Sequence, residues 1–279
     1  MYRKVSITLA VALLATATAA FAEDREQKKG RVLKASETIG LPVVNRQDQE
    51  LGEVNDLVVS PAGVRVTHVI ISSGGVLGAG DTLRPVPIEA AHFLRRGEDR
   101  KWAVQLDVDR ERFEDAPAIE QDDWTTLTQT QWSADLDTFY AVEDTKRRSA
   151  ENIRKVSDLT GIEIRDRQGE EAIGELAEIV FESATGKIRY GALSFGGFLG
   201  FGEKLFAVPW ESIAFTRPTG QEEVQYLTLV VEVSEESLRE AEGFPEDKWP
   251  ATADERFLAE REGVPKKRVA DREEEDLRR

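Results

Sequence analysis

The chain repeats itself, and the repeat limits its folds more tightly than any other feature. GGVLGAG at residues 74 to 80 recurs as GGFLGFG at residues 196 to 202, so that Gly74, Gly75, Gly78 and Gly80 lie over Gly196, Gly197, Gly200 and Gly202 at a constant offset of 122. The match runs without a gap over 28 positions, from VTHVIISSGGVLGAGDTLRPVPIEAAHF (66 to 93) to IRYGALSFGGFLGFGEKLFAVPWESIAF (188 to 215), with 11 identical pairs. Upstream, the segment at 39 to 59 resembles that at 160 to 181, with Gly52 over Gly174; downstream, 102 to 116 resembles 226 to 241. A fixed internal period means one structural unit used twice. Each copy has about 80 to 90 residues, near the small end for a self-sufficient core.

Within a copy the apolar period is two rather than 3.6. Ile162-Glu163-Ile164-Arg165 and Leu227 to Val233 alternate as half-buried strands do. Turn signals such as Arg165 to Gly169 and Ser183 to Gly186 separate them. Short strands joined by tight turns predict a mainly β fold: two tandem small antiparallel β-barrels, each followed by a short helix. Asp109 and Ser234 are suited to cap those helices, with Glu111, Glu235 and Glu236 in the first turns, where carboxylates favour the positive end of the helix dipole. The expected boundaries are 33–124 and 153–249 for the two barrels. A linker, 125–152, carries Trp132, Phe139 and Tyr140 and should pack across the barrels rather than float. Residues 250–279 read as a short helix opened by the capping-box spacing Thr252 to Glu255, then a charged tail of disordered composition.

The glycines invite a phosphate-loop reading, and the flanking residues argue against it. A phosphate cradle lies between a strand and a helix N-terminus. Here strand-like segments follow both glycine runs, and Asp81 and Glu203 place negative charge beside them. All eight glycines are therefore read as structural turn residues, the type that reaches positive φ without steric cost. The second turn carries Phe198, Leu199 and Phe201 where the first has Val76, Leu77 and Ala79. Large apolar side chains at a tip either cap a core or await a partner, so these three are the candidate partner contact.

GGFLGFG, the following strand ending in VPWESI, and the Gly-Glu-Leu-Ala-Glu-Ile-Val run at 174 to 180 resemble the PRC-barrel family. That family takes its name from the barrel of the photosynthetic reaction-centre H subunit and also occurs in a ribosome-maturation factor. The resemblance covers both copies. It implies a small all-β barrel acting as a protein-interaction module, and it brings no shared catalytic residue.

Composition narrows the partners. The chain has 37 Lys and Arg against 53 Asp and Glu, a net charge of −16, two His, one Met and no Cys. Such a charge opposes nucleic acid, whose phosphates are bound through Lys and Arg with release of counterions. At the N-terminus, Arg3 and Lys4 precede an apolar run that ends in Ala20-Phe21-Ala22, the layout of a secretory signal peptide over 1–22 with cleavage after Ala22. An uncleaved anchor is the rival reading, since residues 5 to 22 hold no charge. The expected location is outside the cytoplasm, in a periplasm, with peripheral association to a membrane complex as one possible setting. His68 and His92 have no metal-ligand spacing, and there is no Gly-x-Ser-x-Gly elbow. The acids at Asp107, Asp109, Glu114, Asp115, Asp122 and Asp123 are hard oxygen donors without calcium-loop order. No cofactor, metal or catalytic residue is expected. The leading expectation is a non-enzymatic, exported tandem barrel that binds another protein; the alternative is a carboxylate- or cation-dependent hydrolase with its site in a cleft between the copies.

Overall fold

A computed structural model describes residues 31–60, 64–74, 82–97, 99–120, 123–142, 153–165, 172–195, 204–216, 228–231, 235–254 and 257. The expected signal peptide at 1–22, the tip with Phe198, Leu199 and Phe201, Ser234, and the tail beyond Phe257 lie outside them.

Each repeat forms the same sheet. In the first, β2 (Pro42–Asn45), β3 (Glu50–Ser60), β4 (Arg65–Ser73), β5 (Thr82–Pro87), β6 (His92–Arg96) and β7 (Lys101–Leu106) are ordered β5-β4-β3-β2-β7-β6. In the second, β9 (Glu163–Arg165), β10 (Ala172–Glu182), β11 (Ile188–Phe195), β12 (Lys204–Val208), β13 (Ile213–Thr216) and β14 (Thr228–Val231) are ordered β12-β11-β10-β9-β14-β13. Neighbours are antiparallel except for one parallel pair in each sheet, β2 with β7 and β9 with β14. The mainly β class and the repeat of a barrel-like sheet follow the sequence expectation. A short helix follows each sheet, α2 (Arg110–Glu114) in the first and α5 (Glu235–Glu240) in the second. Asp109 caps α2, its side chain accepting from the Arg112 N–H at 2.8 Å.

The strands between β3 and β5 are more enclosed than a period of two suggests. Every residue of β4 from Arg65 to Ser72 is buried, Thr67, His68 and Ser72 included. A strand covered on both faces reads as a near-continuous apolar run rather than an alternation, as Val69-Ile70-Ile71 does.

The chain divides into two compact units, and the first draws on both repeats: it comprises Met1–Thr160 with Glu178–Arg189, while the second comprises Gly161–Ala177 with Tyr190–Arg279. Two short strands explain why the first unit takes in the β10–β11 hairpin. β1 (Val32–Lys34), at the head of the first repeat, pairs with Val180 to Glu182 of β10. Its counterpart β8 (Arg154–Lys155), at the head of the second repeat, pairs with Val58 and Val59 of β3. The exchange is reciprocal: each head strand adds to the long strand of the other copy.

Two one-turn helices complete the exchange, α1 (Ala35–Thr38) after β1 and α4 (Val156–Leu159) after β8. The buried carboxylate of Asp56 accepts from the Ser157 hydroxyl at 2.5 Å and from the Ser157 N–H at 3.2 Å. The buried carboxylate of Glu178 accepts from the hydroxyl and N–H of Ser36. Each also accepts from the N–H that follows it, Leu57 at 2.8 Å and Ile179 at 2.9 Å. A buried acid is tolerated where its oxygens are supplied with donors, and both acids meet that condition in the same way.

The hairpin turn is held as firmly. The Val66 N–H donates to the Gly186 carbonyl at 2.8 Å, and the Ile188 N–H to that of Val64 at 3.0 Å. Arg65, almost fully buried, donates to the Thr185 carbonyl at 2.5 Å and pairs with Glu89 at 2.7 Å. Phe93 meets Phe181 edge to face, with ring centroids 6.0 Å apart.

The linker packs on the first unit. A 3-10 turn (Trp124–Thr128) leads into α3 (Thr130–Phe139). Leu127 joins Val58, Ile70, Leu83 and Ile119 in one apolar cluster, with Trp124 and Trp132 against it. In the second unit, Tyr190 and Trp210 are fully buried, and the Tyr190 hydroxyl donates to the Pro250 carbonyl at 2.8 Å. Phe206 contacts both Phe195 and Phe257 edge to face.

Candidate functional site

The predicted contact residues Phe198, Leu199 and Phe201 are not among the described residues, nor are Gly75, Gly78, Gly80, Gly196, Gly197, Gly200 and Gly202. Gly74 is described. It follows β4 directly, at φ +81 with open space around its Cα.

Beside this corner lies a cleft of about 270 Å³. Leu51 and Phe113 give it an apolar side, Ser73 and Thr82 give it hydroxyls, and two arginines, Arg84 and Arg110, face it. The elements fix these groups in distinct ways. Arg84 stands on β5 opposite Ile71, so its guanidinium reaches along the sheet to the Ser73 hydroxyl at 2.6 Å. It also donates to the Glu114 carbonyl at 2.8 Å and lies over the Phe113 ring, 5.5 Å from the centroid. Arg110 opens α2 and donates to the Glu50 carbonyl.

A third arginine stands close by. Arg112 donates to the Phe139 carbonyl at 2.7 Å and lies 5.0 Å from the Phe139 ring centroid. Phe139 meets Tyr140 edge to face. Among the described residues, the Tyr140 hydroxyl is buried without a hydrogen-bond partner. Burial drives its pKa far above the ordinary phenol value, against the opposing fields of Arg84 and Arg112.

The other chemical candidates are engaged in architecture. Asp107 pairs with Arg46, and Asp109 caps α2. Glu114 and Asp115 are exposed at the end of α2. His68 is buried in β4 with Nδ1 3.0 Å from the Thr67 hydroxyl. His92 lies on β6, and partial enclosure together with the Arg46 charge holds its imidazole below the ordinary value. Among the described residues, no three His, Asp or Glu side chains converge as metal ligands, and no helix is long and apolar enough to cross a membrane.

Sequence reasoning missed the buried acids Asp56 and Glu178, the Arg65–Glu89 pair and the arginine cleft. One signal was within reach: Glu89 recurs as Glu211 among the identical pairs of the repeat.

The duplicated sheet with its one parallel pair, the bulged long strand and the glycine corner define a small β-barrel module. The PRC-barrel domain model matches residues 30–112 and again 151–221, together more than half of the chain, and the protein belongs to this family. A comparison with curated proteins finds no match.

Proposed function

We propose that the protein is a non-enzymatic interaction module, exported from the cytoplasm, in which two PRC-barrel-like domains present the second glycine corner to a protein partner at or near a membrane complex. The single observation that carries this reading is the use made of the buried acids. Asp56 and Glu178 each accept hydrogen bonds from a serine brought in by the other repeat. Neither stands as a solvent-facing acid or base, and both tie segments of the two repeats together within the first unit. A scaffold needs that kind of interior. The export assignment rests on the charge and apolar pattern of residues 1 to 22. The contact assignment rests on the aromatic enrichment of the second corner, because aromatic side chains dominate the energy of protein interfaces.

The test is gentle crosslinking and co-purification of the full chain from its native compartment, beside a Phe198→Ser, Phe201→Ser double variant of unchanged circular dichroism. A partner captured by the parent and lost from the variant is the expected result. Identical captures from both chains would remove the corner from the reading, and recovery of the full-length chain in the cytoplasm with Met1 intact would remove export.

A further inference from the structure

We propose that the cleft beside the first glycine corner is a binding site for a small oxyanion, a carboxylate or a phosphate, gripped by the guanidinium groups of Arg84 and Arg110.

The first support is charge. Acids outnumber bases by 53 to 37 in this chain, and other arginines find carboxylates: Arg46 with Asp107, Arg65 with Glu89, Arg96 with Asp48. Among the described residues, Arg84 and Arg110 donate to neutral oxygens, the Ser73 hydroxyl and the carbonyls of Glu114 and Glu50. Glu114 lines the cleft, yet its carboxylate forms no ion pair with either arginine among the described residues. Two guanidinium groups therefore face one small volume with no ion pair to either of them among the described residues.

The second support is an unsatisfied donor. Among the described residues, Arg84 Nε is buried without an acceptor. A buried N–H left unpaired is costly, and a guanidinium presents its donors as a planar fork matched to carboxylate and phosphate oxygens. Phe113 beneath the guanidinium and Ser73 at its edge hold that fork in place.

The third support comes from the second repeat, which serves as an internal control. At the offset of 122, Ser73 corresponds to Phe195 and Arg84 to Phe206, and those two rings pack edge to face with centroids 6.2 Å apart. In the repeat of the capping segment, Arg110 corresponds to Glu235. The barrel thus accepts an apolar solution at the strand positions and an acid at the head of the helix. The first repeat has cations at both, which the shared architecture does not demand. The volume, about 270 Å³, suits a ligand smaller than those of ordinary cofactor pockets. The field of an acidic chain opposes anions at long range, so recognition depends on direct contact with the two forks. This site is independent of the partner reading for the second corner.

Calorimetric titration of the full chain with succinate, and separately with inorganic phosphate, at low ionic strength tests the site. Binding of at least one probe in the millimolar range or tighter is expected. Arg110 is exposed, so Arg110→Glu leaves the fold intact and should weaken binding by at least about tenfold. Arg84→Lys keeps the charge and loses the fork, and should also weaken binding. Succinate alone would identify the ligand class as a carboxylate, phosphate alone as a phosphate or phosphoester, and both as a general oxyanion cleft. Binding of neither probe by the parent chain, or equal binding by the folded Arg110→Glu variant, would overturn the proposal.

Discussion

At Gly52 and Gly174, a Cβ would overlap the carbonyl oxygens of Ser72 and Ser194, with Ile71 and Leu193 immediately behind. Both glycines lie on the long strand at a break in its register with the preceding strand. The bulge brings the backbones so close that only hydrogen fits, as bulge positions in strands commonly require. Alanine at either site must push neighbouring strands apart, and Gly174→Ala should lower stability by about 2 to 3 kcal/mol. A thermal melt would show this as a loss of roughly 5 to 10 °C; an unchanged midpoint would mean that the bulge relaxes freely. The repeat made this pair visible in the sequence as Gly52 over Gly174. It could not reveal the close approach, because Ser72 and Ser194 reach these glycines only through strand pairing. The arginine cleft was hidden for the same reason, since Arg84, Arg110 and Ser73 come from three separate elements.

Among the elements, the decisive ones are the shortest. β8 has two residues and α4 has four, too few for either to be stable alone. They persist because Asp56 takes both donors of Ser157 while β8 adds to the edge of β3. Replacing Asp56 with Ala strands these donors and the Leu57 N–H, and should cost about 2 to 3 kcal/mol. Ser157→Ala should cost about 1 kcal/mol. In a double-mutant cycle the two should couple by about 1 kcal/mol or more, measured by urea unfolding, and an additive cycle would show that the carboxylate acts alone. The sequence showed no trace of these contacts: the partners are separated by 101 positions in one case and 142 in the other. By contrast, the α2 cap was readable because Asp109 and Arg112 are three apart. Local chemistry was legible, and exchanged chemistry was not.

Across the whole molecule, the repeat seen in the sequence and the compact unit seen in space do not share boundaries. The first unit needs Glu178–Arg189 from the second copy as well as the segment up to Thr160. A chain ending at Trp124 therefore lacks β8, α4 and the hairpin that receives β1, and leaves Val58 and Val59 without their outer neighbour. Such a fragment should show a broad, weakly cooperative melt, whereas a chain running through Phe257 should unfold sharply. A sharp transition in the fragment would mean that the first repeat closes without its exchanged partners. The duplication itself, the mainly β class and the turn-rich connections were all readable from glycine spacing and period-two alternation, because those patterns act over a few residues.

The exchange also sets an order in time. Arg31 is bonded to Ser183 across 152 positions of chain, so a polypeptide that emerges from its N-terminus cannot finish its first compact unit until the hairpin at Glu178 to Arg189 has followed. Non-local closure of this kind is slow, and an unpaired strand edge is an aggregation hazard while it waits. For the interval in which the first unit lacks its hairpin, β1 has no strand to pair with and is the chain's weakest point, and any helper that guards its biogenesis has that strand to shield.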